Sequence, residues 1–123
     1  MDSTRQSKVS RLLQKEIANY FLHNSRDFQG AMISVSEVRV TSDLDEARIF
    51  VSIFPQDKRD TVFSDIELKT KEIRFEIAKL IRFQLRRIPN FIFMLDESLD
   101  YVERITQLLD KSKKTQTQLT EEE

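Results

Sequence analysis

Seven basic side chains stand between positions 69 and 87: Lys69, Lys71, Arg74, Lys79, Arg82, Arg86 and Arg87. Only Glu72 and Glu76 oppose them, so this segment carries +5 in a chain of net charge −1, leaving −6 elsewhere. Basic residues segregated in this way suit an anionic partner, because each Lys or Arg set against a phosphate releases condensed counterions. On a helix, Lys71, Lys79, Arg82 and Arg86 fall within about 80° of one another, with Phe75 inside the same arc. An aromatic ring among cations adds a platform on which a base can stack. The competing reading is an ordinary solvated helix face, partly neutralised by the two Glu residues. Arg5, Lys8, Arg11 and Lys15 form a second, weaker basic face. The two become one surface only if the fold makes them neighbours.

Other chemistry is largely excluded. There is no Cys, hence no disulfide, thiolate zinc site or cysteine nucleophile. One His, His23, cannot build a two- or three-His metal site within one chain. One Gly, Gly30, is too few for a P-loop or a dinucleotide-binding glycine fingerprint. The pairs Asp43/Asp45 and Asp96/Glu97 have bland roles available as turn formers and helix caps. The expectation is therefore a protein that is not an enzyme, with no catalytic residue, no metal and no cofactor.

The elements that must position the basic residues follow from periodicity. The chain has 123 residues, 39% hydrophobic and 33% charged, the balance of one globular domain. No apolar run approaches the ~20 residues of a membrane span, and the polar start at Met1–Arg11 has no secretory pattern. The cytosol is the expected compartment and a monomer the default state. Residues 5–23 predict an amphipathic helix, with Val9, Leu13, Ile17, Tyr20 and Phe21 on one side. Residues 33–40 and 47–54 predict an antiparallel hairpin around the turn 41–45. Ile33 and Val35 alternate out of phase with Val38 and Val40, and a β-bulge at Ser36-Glu37 would bring both pairs to the core. Phe50 and Phe54 fall on the opposite side of the second strand. Since most Phe residues are at least partly buried, they are expected beneath a loop or beneath the next helix.

That helix is predicted over 58–69, or later if Ser64-x-x-Glu67 is a capping box. The strongest helix follows over 71–87, with Ile73, Ile77, Leu80, Ile81 and Ile88 as its buried stripe and Pro89 as its stop. A third strand over 91–95 and a last helix over 98–110, with Leu99, Val102, Ile105, Leu108 and Leu109 apolar, complete the domain. The order α-β-β-α-α-β-α reads as an α+β fold, a three-stranded sheet with helices on one face. Residues 1–110 form the domain. Residues 111–123 have no periodicity and read as a disordered charged tail.

Several stretches together resemble the bacterial ribosome-binding factor A family. Arg5-x-x-Lys8-Val9, followed by Lys15-Glu16-Ile17-Ala18, is similar to its opening helix, and Ser42-Asp43-Leu44-x-x-Ala47-x-Ile49-x-Val51 to its hairpin. Ile73-Arg74 and then Leu85-Arg86-x-Ile88-Pro89-x-Phe91-x-Phe93-x-x-Asp96-x-Ser98-Leu99 are similar to its signature stretch. The resemblance covers about residues 4 to 110. It implies a type II KH-like fold and an assembly factor that binds the immature small ribosomal subunit and its rRNA. It also implies support of late maturation, including 5′-end rRNA processing, with release promoted by a maturation GTPase. KH domains that clamp RNA use a Gly-x-x-Gly loop between two helices, which this family replaces with Ala-x-Gly. Here Lys69-Thr70-Lys71 stands at that place, so a gentler bend is expected, with both Lys residues reaching phosphates. The expected RNA contacts are Lys69, Lys71, Lys79, Arg82 and Arg86, with Arg74 and Arg87 at the edges, Arg5, Lys8 and Arg11 as the second patch, and Phe75 stacking. The alternative is a protein–protein module that docks through Phe50, Phe54 and Phe83.

Overall fold

The chain's computed structural model describes residues 4–97. The first element, helix α1, runs Thr4–His23 and buries Val9, Leu13, Ile17 and Phe21, four of the five residues expected on its apolar side. Tyr20, the fifth, is half-buried. Asn24 starts a 3-10 turn, Ser25–Phe28, and the chain reverses through Gln29 and Gly30, both left-handed at φ 59° and 69°. The single glycine therefore stands where positive φ costs it nothing; Gln29 adopts the same region without that exemption.

Strands β1 (Met32–Val40) and β2 (Glu46–Phe54) pair antiparallel. The register runs Val35↔Val51 and then Glu37↔Phe50, leaving Ser36 without a partner residue. That extra residue resets the alternation, so Val35 and Val38 are both buried, as the phase slip predicts. The turn is self-bonded: Thr41 Oγ1 donates to Asp43 Oδ1 at 2.7 Å, and the Asp45 N–H donates to the same oxygen at 3.1 Å. β1 is an edge strand, and α1 covers part of its open carbonyl row. The Gln6 and Gln14 side-chain amides donate to the Val40 and Val35 carbonyls at 2.9 and 3.1 Å.

A second 3-10 turn, Gln56–Lys58, leads into helix α2 (Arg59–Leu68), which buries Val62 and Ile66. Ser64 lies inside α2, so the capping-box start does not occur. One residue, Lys69, separates α2 from α3 (Thr70–Ile81). Its backbone, at φ −98° and ψ 9°, needs no glycine. The Lys69 N–H still reaches the Asp65 and Ile66 carbonyls, and the Ile73 N–H reaches the Lys69 carbonyl. Hydrogen bonding thus passes across the junction without a glycine.

Strand β3 (Asn90–Leu95) pairs parallel to β2, giving the order β1-β2-β3 with helices packed on one side. A parallel neighbour requires a crossover, which α2 and α3 supply. The core lies between α1, α2, α3 and the sheet. At one end Phe21 meets Phe28 and Phe93 edge-on, at 5.3 and 6.0 Å between ring centroids.

The predicted 71–87 helix is too long. α3 stops at Ile81, and the Gln84 and Leu85 N–H groups both close onto the Ile81 carbonyl. Two features favour its ending before Pro89. Pro89 biases Ile88 away from helical dihedrals. Arg74 donates to the Ile88 and Pro89 carbonyls at 2.7 and 2.9 Å, pulling the returning chain back onto α3. Ile73, Ile77 and Ile81 are buried as expected, but Leu80 is 60% exposed. The predicted last helix, 98–110, and the tail, 111–123, lie outside the described residues.

Candidate nucleic-acid interface

The shorter α3 redistributes the basic residues. Lys71, Arg74 and Lys79 remain on the helix, Arg82 caps its end, and Arg86 and Arg87 belong to the loop 82–89. The single stripe expected on a continuous helix becomes two clusters, separated by most of the ~18 Å length of a 12-residue helix.

The first cluster is at the α2–α3 junction. Lys71, Arg74 and Phe75 line a groove of about 840 Å³ with Leu68, Ala78 and Phe91. Leu68 is 82% exposed and Phe75 61%. Lys79 Nζ sits 4.7 Å from the Phe75 ring centre and 3.2 Å from Glu76 Oε1. Phe75 is therefore available as a stacking platform, but the Lys79 charge is shared with a carboxylate. Two neighbours expected to reach phosphates have structural partners instead. Arg74 is half-buried and straps the 88–89 carbonyls. Lys69 is half-buried, with Nζ 5.2 Å from the ring centre of the buried Phe28. In both cases the signal was long-range, and spacing along the chain carries no trace of it.

The second cluster forms where α1 begins. Arg5 lines a crevice of about 270 Å³ with Leu85, Arg86 and Arg87 on one side and Ser42, Asp43 and Leu44 on another. The fold thus makes the start of the α1 basic face a neighbour of the 86–87 pair. Arg87 is ion-paired with Asp45. The Thr41 hydroxyl, the Asp45 N–H and, to a lesser extent, the Arg87 guanidinium hold the Asp43 carboxyl below its ordinary range. Arg82 stacks over Phe83, 4.7 Å from its ring centre, at the exposed end of α3. Arg5 and Arg86 stay exposed, as do Lys8 and Arg11 along α1.

Between the clusters the surface changes sign. The groove between α1 and α3, about 570 Å³, is lined by Glu16, Asp27, Glu72 and Glu76 around Tyr20 and His23, with Lys79 at its edge. Burial and then the charges of Glu72, Asp27 and Glu76 raise the Tyr20 hydroxyl above its ordinary pKa. Glu72 and Glu76 were visible at helical spacing, but their meeting with Glu16 and Asp27 is tertiary. The basic faces of α1 and α3 join at one end only. Of the three Phe residues considered for docking, Phe83 is exposed and Phe50 half-buried under Arg39, 5.5 Å from its guanidinium carbon. Phe54, expected beneath a loop or helix, is 60% exposed because no described element lies on that side of the sheet. Among the described residues no group of three or more His, Cys, Asp or Glu is placed to hold a metal ion. No helix among them is long and apolar enough to cross a membrane.

The order α-β-β-α-α-β, the mixed three-stranded sheet and the short helix–helix junction define a type II KH-like α+β domain. Residues 5–109 match the family profile of Ribosome-binding factor A, and this chain belongs to that family. The Ribosome-binding factor A of Flavobacterium johnsoniae is 39% identical over 111 residues, covering 89% of this chain and 85% of that protein. The Cytophaga hutchinsonii protein of the same name is 40% identical over 112 residues, covering 90% and 84%. The crystal structure of ribosome-binding factor A from Thermus thermophilus shares the fold, with a TM-score of 0.59 at 18% identity over 73% of this chain and 94% of that one. So do the Thermus thermophilus coordinates fitted into the cryo-EM map of a 30S complex of that factor, with a TM-score of 0.55 at 18% identity over 70% and 89%.

Proposed function

We propose that this chain is a ribosome assembly factor that binds the immature small subunit through its rRNA and supports late maturation, including 5′-end rRNA processing. Family membership supports the coarse part of this reading, since a homologous factor has been placed in a 30S map. The observation that carries the local part is the meeting of Arg5 with Arg86 and Arg87 in one crevice. Guanidinium groups gathered from α1 and the 82–89 loop make a phosphate site that neither segment makes alone. In this reading Arg5, Lys8, Arg11, Arg82 and Arg86 contact phosphates at one end of α3. Lys71 does so at the other end, where Phe75 offers a base a stacking surface. Arg74 and Lys69 position the framework, and Lys79 and Arg87 contribute through carboxylate-shared charge. A maturation GTPase acts on the complex rather than on this surface, and the protein works in the cytoplasm as a monomer without a cofactor.

The test is co-sedimentation with separated small subunits, large subunits and joined ribosomes at two salt concentrations. Wild type should bind small subunits in a salt-sensitive manner. The Arg5→Glu, Arg86→Glu variant should lose that binding while keeping its circular dichroism and melting temperature. Each phosphate contact removed singly should lower the log–log salt slope by about one. Salt-insensitive binding retained by the double variant sinks the reading and favours apolar docking through the exposed Phe54 and Phe83.

A further inference from the structure

Phe83 is 87% exposed, the most of any large apolar side chain among the described residues. A lone exposed apolar residue is ordinary on a protein surface, but the setting of this one is not. The loop 82–89 holds three arginines and no acid. Arg82 lies over one face of the ring, its guanidinium carbon 4.7 Å from the ring centre, and the opposite face is open. The backbone beneath the ring is held at both ends. The Arg82 N–H donates to the Ala78 carbonyl at 2.9 Å, and the Gln84 and Leu85 N–H groups donate to the Ile81 carbonyl at 2.8 and 3.1 Å. Arg74 ties down the far end at Ile88 and Pro89. Phe83 is thus presented to solvent on an ordered turn, which leaves a partner little ordering cost to meet.

We propose that Phe83, backed by Arg82, is the stacking platform for one unpaired base of an RNA whose neighbouring phosphates lie on Arg86 and Arg5. This rests on the rRNA-binding reading above and adds a base contact to its phosphate contacts. The surroundings of the ring favour a base over an apolar protein partner. Within the loop, Arg82, Gln84, Arg86 and Arg87 are exposed beside Phe83, whereas Leu85 and Ile88 pack against the core. The ring therefore stands alone among polar side chains. A protein contact draws its energy from a cluster of well-packed side chains, while a base needs one aromatic face. The cations also suit the phosphates on either side of a stacked base. Arg86 shares its crevice with Arg5 and Arg87, and the Arg82 guanidinium is exposed enough to back the ring and still face a phosphate. The base must be unpaired, because bases within a duplex are already stacked on both sides and RNA splays them out at loops, bulges and ends.

Phe83→Ala, Phe83→Leu and Phe83→Tyr in the full chain test this by co-sedimentation with small subunits. All three should keep the wild-type melting temperature, since the ring is exposed. Phe83→Ala and Phe83→Leu should weaken binding roughly five- to hundredfold, the range of one lost base stack. The salt slope should not change, because no phosphate contact is removed. Phe83→Tyr keeps the ring and should bind within about threefold of wild type. Acylation of rRNA 2′-hydroxyls at saturating protein should reveal an unpaired nucleotide that wild type and Phe83→Tyr protect and Phe83→Leu leaves reactive. Wild-type affinity in Phe83→Leu overturns the proposal and assigns Phe83 to apolar docking. A loss shared by all three variants also overturns it, as does the absence of any nucleotide whose protection follows the ring. The two readings fail separately. If wild type binds small subunits in a salt-sensitive manner and Phe83→Ala matches it, only the base contact falls; if wild type shows no such binding, both fall.

Discussion

Arg74→Met separates a framework role for this arginine from a phosphate-binding one. Methionine keeps most of the stem's apolar contact and removes the guanidinium. What is lost is the pair of bonds to the Ile88 and Pro89 carbonyls, at 2.7 and 2.9 Å. A hydrogen bond from a charged donor contributes about 1.5–3 kcal/mol. Arg74 is only half-buried, so water can take over part of the acceptors' demand, and the expected net loss is about 2–4 kcal/mol. At the low end of that range the melting temperature falls by roughly 8 °C or more for a domain of this size. Arg74→Lys should recover less than half, because one ammonium cannot reproduce the two-pronged fork. Lys71→Met, an exposed site on the same helix, should stay within about 0.5 kcal/mol of wild type. Urea unfolding of the three variants measures all of this. If Arg74→Met is as stable as wild type but binds small subunits more weakly, the strap has been misread and Arg74 belongs with the phosphate contacts.

Ile77→Ala should cost about 2–5 kcal/mol and Leu80→Ala under about 0.5, since one is fully buried and the other largely exposed; urea unfolding decides, and equal losses would place Leu80 in the core. Asp43 has its folded-state pKa lowered by the Thr41 hydroxyl, the Asp45 N–H and the Arg87 charge, so it favours folding above its unfolded pKa, and that contribution fades as pH falls through the folded value. Wild type should therefore exceed Asp43→Asn in stability near neutrality, with the gap closing in acid; a gap constant from about pH 6 to about pH 2.5 refutes this. Gln29→Asn should stabilise the fold by about 0.5 kcal/mol, because asparagine tolerates the left-handed backbone found there, and a lower urea midpoint would count against that strain. Lys69→Met should leave the salt slope of subunit binding unchanged, whereas Lys71→Met should lower it, since the Lys69 ammonium faces Phe28; equal slopes would return Lys69 to the interface.

Local signals carried much of the fold. The phase slip at Ser36 marks the bulge because a two-residue period cannot otherwise keep Val35 and Val38 on one face. The 3.6-residue period of Val9, Leu13, Ile17 and Phe21 finds α1 to within one residue at its start. Errors arose where a distant partner decided the outcome. The end of α3 is set by Arg74 reaching Ile88 and Pro89, and Leu80, at the edge of the stripe centred on Ile77, is left facing the open α1–α3 groove. The candidate site divides along the same line. Exposed Arg5, Lys8, Arg11, Lys71, Arg82 and Arg86 are where composition and periodicity suggest, but the wheel's single stripe depended on helix that is not there. The burial of Lys69 against Phe28 has no local signature at all.

The acidic groove gives the basic residues a consequence that their number does not. A polyanion drawn to α3 by its cations meets Glu16, Asp27, Glu72 and Glu76 if it tries to lie along the α1–α3 groove. Repulsion there costs binding energy in every register except those that place phosphates at the two ends, near Lys71 or near Arg5 and Arg86. Like-charge opposition of this kind selects orientation more than it changes total attraction. A chain of net charge −1 also has little long-range pull on nucleic acid in general. On the proposed reading, tight binding then requires an RNA surface that presents phosphates about one α3 length apart, and loose RNA is a poor competitor. Neutralising the groove with Glu16→Gln, Glu72→Gln and Glu76→Gln should raise affinity for unstructured RNA more than affinity for small subunits. Filter binding to a single-stranded oligonucleotide, set beside co-sedimentation, measures both. An equal rise in the two, or no rise in either, would show that the acids solvate the helices and take no part in choosing the partner.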